Sequence, residues 1–559
     1  IKRRSLLALT TGVRNAPREP SCMPRTPLFA TLHRLASAAA GNAWAEGTPS
    51  RRAFIGGVAA LPAGAALAAL PLRAGAATSA RIAIVGAGIS GLVAALTLHE
   101  AGYTPQVFEA NSRWGGRIHT NRAGWFGDQT AEWCGELIDS SHVTMIALAR
   151  RFGLPLTDVL ADTPRAAQYT IMFDGRYYPI EAAARDFKPV YARLLAQLRA
   201  AGDLAPFDRL TDEQRRLDAM SVYAWIERYV PGGHASLMGR YLERAYLAEF
   251  GRDTREQSAI NIVYMLGTQA GPVAGEVGFH IFGTSDERYH ISGGNERLTD
   301  AIAARLPPGT IRLSTALEAI ASEPHGPVTL TVAGERGRER ATFDRVILTL
   351  PFARLRHLDY RGARLSNVKR TAIETLGYAR HTKVHVPFTQ RTWRERGPWP
   401  GVSDGTVYTD LEFQNSWDTT RGQPGRNGIL VAYVGGSPAV AVAADAAYTT
   451  TLESPKTQRT VAAFVAQFER VFPGIAKHYA GHATAGSAFL DPFLGGSYSV
   501  WLVGQLTAFG GAEGRPEGAI HFAGEHTSLD QQGYMEGGAV TGQRAAHEVL
   551  HALRTKVTT

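Results

Sequence analysis

Two cysteines in 559 residues leave almost no scope for covalent cross-linking. Cys22 falls in the first 80 residues and Cys134 beyond them, so the body of the chain cannot form an intrachain disulfide, a four-cysteine zinc site or a CxxC redox pair. No metal site is read from the sequence. Charge is also sparse, at 19% against 45% hydrophobic residues, which excludes an intrinsically disordered chain. No repeats or low-complexity tracts interrupt the body. At roughly 150 residues per domain the length allows about two to four compact units. The formal net charge of +9 points at first to an acidic partner. However, residues 1–80 hold ten basic side chains and two acidic ones, so +8 belongs to that stretch and only +1 to the remainder. Nothing in the body calls for nucleic acid.

The basic stretch contains Ser50-Arg51-Arg52-Ala53-Phe54-Ile55, then an uncharged run to Leu72, then Ala74-Gly75-Ala76-Ala77. This resembles a twin-arginine export signal with an A-x-A cleavage site ending at Ala76. A membrane anchor is the competing reading, since the run has about the roughly 20 residues a bilayer needs, but it is Ala-rich and broken by Gly56, Gly57, Pro62, Gly64 and Pro71. Residues 1–80 are therefore expected to be a leader, with Met23 as the candidate start. The mature protein is expected to be periplasmic or secreted, without stable membrane insertion after cleavage.

Arg81-Ile82-Ala83-Ile84-Val85 reads as a buried strand. It runs at once into Gly86-Ala87-Gly88-Ile89-Ser90-Gly91 and a helix-like segment from Leu92 to Ala101. The first glycine makes the turn, the second admits a pyrophosphate to the backbone, and the third lets helix and strand pack closely. The helix N-terminus then faces the phosphates. A second strand, Val107-Phe108-Glu109-Ala110, ends in an acid 18 residues after Gly91, near the spacing that bonds a ribose hydroxyl. These features predict dinucleotide binding and leave FAD and NAD open. Asn111-Ser112-Arg113-Trp114-Gly115-Gly116-Arg117-Ile118 favours FAD, because paired glycines allow close approach to a large ligand and Arg113 and Arg117 offer forked donors. A surface turn with solvated arginines is the plain alternative.

With these segments the chain resembles the flavin-dependent amine oxidase family, which includes monoamine, polyamine and L-amino-acid oxidases. Further motifs follow in family order: Gly293-Gly294-Asn295-Glu296-Arg297-Leu298, Val346-Ile347-Leu348-Thr349-Leu350-Pro351, Phe522-Ala523-Gly524-Glu525-His526-Thr527 and Gly533-Tyr534-Met535-Glu536-Gly537-Gly538-Ala539. The resemblance covers about residues 81–552. It implies FAD held by Gly86, Gly88, Ile89, Ser90, Gly91, Glu109, Ala110, Arg113, Gly115, Gly116, Arg117, Leu317, Gly524, Glu525, Tyr534 and Met535. Ser497 stands where monoamine oxidases carry the flavin-linked cysteine, which implies non-covalent FAD. Tyr498 and Tyr534 match the aromatic walls flanking the substrate amine, and Lys383 matches the lysine that holds a water against the flavin. For each tyrosine core packing is the alternative, and for the lysine a buried stem with a solvated tip.

The segment Glu132-Trp133-Cys134-Gly135-Glu136-Leu137-Ile138-Asp139 departs from the pattern. Cys134 replaces a family glycine, and Leu137 stands where some L-amino-acid oxidases place a carboxylate-binding arginine, so Arg240 or Arg244 would have to substitute. Asp139, with Glu136 beside it, is the candidate for binding a distal ammonium. The alternative for Asp139 is a solvated or helix-capping role.

The expected fold is α/β: a Rossmann-like FAD-binding domain (81–141, 286–370 and 488–552) interleaved with a mixed sheet-plus-helix substrate domain (142–285 and 371–487). Helices are expected over His142–Phe152, Glu181–Ala201, Ser221–Tyr229, Ser236–Phe250 and Thr457–Phe472. A hairpin is expected at Asp174-Gly175, with strands at Thr382–Phe388 and Gly428–Tyr433. The expected reaction is oxidation of a primary or secondary amine to an imine by hydride transfer to FAD, with molecular oxygen reduced to hydrogen peroxide. The alternatives are L-amino-acid oxidation and a flavin amine dehydrogenase with a periplasmic electron acceptor. A non-catalytic FAD-stabilised binding protein is the reading from another class. No dedicated general base is evident, and a homodimer is compatible with the resemblance.

Overall fold

The strand Ile82–Val85 has all four residues buried and lies at the centre of a five-stranded parallel sheet. The order is Ile520–Phe522, Arg345–Leu348, Ile82–Val85, Gln106–Phe108 and Ile311–Arg312, with every neighbour parallel. Parallel strands need cover on both faces, and the alternation of side chains supplies two apolar surfaces. Ile82 and Ile84 pack with Leu92, Leu96, Ala539 and Val549 of the helices Ile89–Glu100 and Met535–Thr555. Ala83 and Val85 pack with Phe108, Leu330 and Phe343 toward a four-stranded sheet of Gly337–Phe343, Val328–Gly334, Ala316–Ser322 and Asp359–Gly362. The computed structural model describes residues 80–125, 128–164, 167–267, 285–324 and 326–555. The expected leader with its arginine pair therefore lies, but for residue 80, outside the described residues.

A second, eight-stranded sheet runs Tyr448–Thr450, Thr484–Gly486, His381–Phe388, Gly428–Gly435, Asn415–Asp418, Val402–Thr409, Ala167–Phe173 and Arg176–Tyr177. It is antiparallel except where Val402–Thr409 runs parallel to Ala167–Phe173. The last two strands are the hairpin expected at Asp174-Gly175. The strand from His381 to Phe388 differs from a half-exposed alternating strand, because all eight residues are buried. The helices Val143–Arg151, Ile180–Ala201, Val222–Tyr229, Leu237–Phe250 and Pro455–Val471 form where the apolar spacing predicts them. Ser221, Ser236 and Ser454 cap three of these, accepting N–H groups of Ala224, Gly239 and Thr457. The helix Val143–Arg151 has no cap of its own. Glu536 of the C-terminal helix instead accepts the N–H groups of Thr144 and Met145 at 2.9 and 2.8 Å. The fold is thus mixed α/β, with the parallel sheet and the two mixed sheets in one compact unit, and no helix among the described residues is long and apolar enough to cross a membrane.

Candidate functional site

A cavity of about 780 Å³ extends from the edge of the parallel sheet to the mixed sheet. One end is built by the first βα turn. The helix Ile89–Glu100 begins without a side-chain cap and without an acid in its first turn. Gly88, Ile89 and Ser90 line the cavity there, and the Ser90 hydroxyl is buried without a partner. Uncapped N–H groups and the positive end of the helix dipole make this a receptor for phosphate. Gly86, Ala110, Gly115, Gly116, Leu317 and Gly524 complete this end. Gly91 does not reach the cavity. It lies against the turn, where a Cβ would stand 1.9 Å from the Gly86 carbonyl oxygen.

Glu109 lines the same end with each carboxylate oxygen already fixed. Oε2 accepts the N–H of Ala87 at 2.7 Å and Oε1 that of Asn111 at 2.8 Å. Lone pairs remain for ribose hydroxyls. The two arginines divide their work. Arg113 lines this end and donates to the carbonyls of Trp114, Gly116 and Ile118, so that it also holds its own loop. Arg117 reaches across to the Ser497 carbonyl at 2.9 Å and to Glu525 at 2.8 Å. Glu525 also accepts the N–H groups of Ser499 and Gly533 and the Ser499 hydroxyl. Burial would raise its carboxyl, but Arg117 and these donors hold it below the usual range. Met535 opens the glycine-rich helix beside this pair.

Lys383 is 5% exposed in the cavity wall, and its three ammonium protons are all taken. Nζ donates to Glu136 Oε2 at 2.6 Å, to the Glu132 carbonyl at 3.0 Å and to the Cys134 carbonyl at 3.1 Å. The other oxygen of Glu136 accepts the Trp417 indole N–H at 2.8 Å and the Thr419 hydroxyl at 2.6 Å. Burial would raise the Glu136 carboxyl, yet the Lys383 charge and these bonds outweigh it and hold it at about 2. Two expectations are corrected on this geometry. Lys383 has no proton left for a water, and Glu136 is committed to the protein rather than to a substrate ammonium. The segment carrying Glu136 is itself fixed, because Asn295 Nδ2 donates to the carbonyls of Gly135 and Glu136 and the Asn295 N–H donates to Glu132.

Tyr498 and Tyr534 both line the cavity. The Tyr498 hydroxyl donates to the Glu249 carbonyl, and its ring lies 5.0 Å from that of His381, which stacks on Tyr433 at 4.6 Å. Tyr534 packs edge-on against His142 at 5.0 Å. Asp139 is neither solvated nor a helix cap. It is 5% exposed and accepts the Ser285 hydroxyl and the Glu287 N–H, both at 3.0 Å. Burial, opposed by these two bonds, places its carboxyl at about 6. Glu249 and Glu287 line the same region. Burial and neighbouring carboxylates raise Glu249 to about 8, and burial with Asp139 raises Glu287 to about 7, against the pull of Arg421. No dedicated general base was evident in the sequence; the structure places three carboxyls, each raised chiefly by burial, in the wall of the cavity that the tyrosines line.

Arg240 pairs with Asp174 away from the cavity, and Arg244 does not line it. The arginine facing the mixed-sheet part is Arg421, 7% exposed, donating to the Asp418 carbonyl at 3.2 Å and standing 4.0 Å from Asp404. Glu249, Glu287 and Arg421 were not legible as site residues, because each sits outside the glycine and aromatic motifs. The only signal for Glu249 was its place at the end of the helix Ser236–Phe250.

The residues present fit a flavin dinucleotide: an open helix N-terminus with an orphaned serine hydroxyl, a glycine cradle, an acid at ribose spacing and an aromatic chamber beyond. Ser497, at the position of the covalent cysteine, has a buried hydroxyl without a partner. Residues 89–550 match the family described as flavin containing amine oxidoreductase. Among curated relatives, the L-amino-acid oxidase of Siganus canaliculatus is 24% identical over 84% of this chain and 85% of its own. Polyamine oxidase 1 of Zea mays is 24% identical over 85% of this chain and 91% of its own. Among solved structures, cyclohexylamine oxidase from Brevibacterium oxydans IH-35A superposes with a TM-score of 0.70 at 22% identity, over 85% of this chain and 99% of that one. With the motif order, the sheet topology and the cavity in agreement, the chain belongs to the flavin-containing amine oxidoreductase family, whose members are oxidoreductases acting on amine donors.

Proposed function

We propose that the protein binds FAD non-covalently and oxidises a primary or secondary amine to an imine, which water then hydrolyses to an aldehyde or ketone. The observation that carries this reading is that Tyr498 and Tyr534 face the same cavity as the open N-terminus of the helix Ile89–Glu100. When bound, the cofactor supplies the redox chemistry by accepting hydride from the carbon bearing the amine and passing the electrons to oxygen, which leaves as hydrogen peroxide. Gly88, Ser90, Glu109 and Arg117 would hold the dinucleotide, with Met535 at the flavin's pyrimidine end. Tyr498 and Tyr534 would clamp the amine between ring faces, exclude water and present one C–H bond for transfer. The test is anaerobic bleaching of the yellow protein against monoamines, polyamines and L-amino acids, followed by assays for peroxide and for dye reduction. Bleaching by no member of the panel overturns the reading. Dye reduction without peroxide assigns a dehydrogenase.

A second reading, oxidation of an L-α-amino acid, rests on Arg421, a buried guanidinium in the cavity with only one hydrogen bond among the described residues. It predicts that L-amino acids bleach the flavin and that their decarboxylated amines do not. Export through the twin-arginine route is likewise proposed from Arg51 and Arg52. Replacing both by lysine should retain the protein inside the cell, as read by fractionation.

A further inference from the structure

The cavity contains several carboxylates, and most are already committed. Glu136 and Glu525 are ion-paired and saturated with donors. Asp139 is held by a hydroxyl and a backbone N–H, and Asp404 accepts the Thr406 N–H beside Arg421. Glu249 and Glu287 are different, because no described residue donates a hydrogen bond to either carboxylate. Glu249 lies in the last turn of the helix Leu237–Phe250. Its place is nevertheless fixed by the backbone, because its carbonyl takes the Tyr498 hydroxyl and the preceding Ala248 carbonyl takes His381 Nε2 at 2.7 Å. Gly251 ends the helix at φ 56°, and a Cβ there would lie 2.4 Å from the His381 ring.

We propose that Glu249 is the proton acceptor of the reaction, taking onto its side-chain carboxylate the proton of a substrate ammonium held between Tyr498 and Tyr534. The inference rests on the amine-oxidising reading above. Glu249 lines the same cavity as both tyrosines, and its backbone carbonyl accepts the Tyr498 hydroxyl. The other groups facing it are Tyr246 on its own helix, Tyr433 and Tyr408 on the mixed sheet, and His381, which burial keeps neutral. Glu287 and Asp139 are the carboxyls that raise its proton affinity. The negative end of its own helix acts in the same direction. A base whose affinity lies near the working pH is the efficient one.

The step moves one proton and no electrons. The N–H bond of R–CH2–NH3+ breaks, the O–H bond of Glu249 forms, and the free amine R–CH2–NH2 keeps the lone pair that hydride departure from its carbon requires. Where Glu249 is already protonated in the free enzyme, amine binding expels that proton to solvent.

The experiment compares the wild-type holoenzyme with Glu249→Gln. In anaerobic stopped flow with a monoamine that bleaches the wild type, Glu249→Gln should lose about 100-fold in the limiting bleaching rate at pH 7. It should recover to within about 3-fold at pH 10, where solution delivers the free amine. Loss that is equal at both pH values marks a merely structural residue and overturns the proposal. A raised KM for diamines with unchanged monoamine rates marks a distal ammonium site and does the same. Calorimetry with tert-butylamine, which has no α-hydrogen, in buffers of different ionisation enthalpy gives a second readout. The wild type should release about one proton per amine bound at pH 7 and Glu249→Gln none; equal release by both overturns the assignment. If no amine bleaches the wild type, the amine-oxidising reading fails, while proton release with tert-butylamine still decides the role of Glu249.

Discussion

The Lys383 ammonium stands 2.6 Å from the Glu136 carboxylate in the wall of the cavity, and both side chains are 6% exposed. Trp417 and Thr419 lock the acid from the neighbouring strand region while two backbone carbonyls lock the base, so the pair is neutral as a unit and rigid. A buried pair closed in this way contributes little net stability, but removing one partner leaves a charge without compensation.

Glu136→Gln and Lys383→Met should therefore each destabilise the protein by about 3–5 kcal/mol. The double variant Lys383→Met/Glu136→Gln should recover most of that loss. Urea unfolding of the four proteins tests this, and strictly additive effects of the two single changes would contradict it.

The same pair predicts an acid limb. Glu136 is held at about 2, against 4.5 for an ordinary glutamate. A depressed carboxyl contributes its stability above the unfolded value and loses it as pH falls through the folded one. Its contribution, on the order of 3 kcal/mol, should disappear between pH 4.5 and pH 2. Glu136→Gln should lack this limb in thermal melts taken across that range.

Asp139, Glu287 and Glu249 act in the opposite direction, since burial raises all three, to about 6, 7 and 8, with Asp286 adding at Asp139, Asp139 at Glu287, and Glu287 and Asp139 at Glu249. A raised carboxyl contributes fully to the folded state below its unfolded value and loses that contribution as pH rises from there through the folded one. The melting temperature should fall from pH 5 to pH 8. Glu249→Gln should flatten the upper part of that fall, and a profile unchanged by the substitution would count against a buried Glu249 carboxyl.

Ser90→Asp should separate fold from cofactor. A carboxylate in the first turn of the uncapped helix Ile89–Glu100 favours the helix through its dipole. The same charge occupies the site prepared for phosphate and repels it. Circular dichroism should stay native while FAD affinity falls about 10-fold or more. Acid precipitation of the wild type should release all of the flavin into the supernatant, and flavin remaining with the pellet would show a covalent bond.

Tyr534→Ala should keep the yellow colour and lose amine turnover, because one ring face of the chamber is removed while the nucleotide end is untouched. Titration with FAD should give near-wild-type affinity. Bleaching by the best amine should slow by about 100-fold, the scale expected when a reacting group loses its orientation.

The nucleotide half was legible because its chemistry depends on local order. Strand, glycine turn, helix and acid lie within the short span from Arg81 to Ala110, and each step has a backbone reason. The tyrosines were legible from the motifs that contain them. What Lys383 does was not, because its partners come from residues 132–136, some 250 positions away, and saturation of its donors appears only in three dimensions. Glu249 was hidden for a related reason. On a helix its acid reads as one more polar residue, and only the docking of that helix end onto Tyr498 and His381 makes it part of a chamber.

The strand order of the parallel sheet has a consequence for how the protein is made. Ile82–Val85 pairs with Arg345–Leu348, which in turn pairs with Ile520–Phe522, while Glu536 caps the helix beginning at Val143. The turn that receives the dinucleotide is among the first parts of the body to be synthesised, yet its sheet is completed only when nearly the whole chain has emerged. A ribosome stalled before Ile520 would display the glycine turn without the edge strand that completes its sheet.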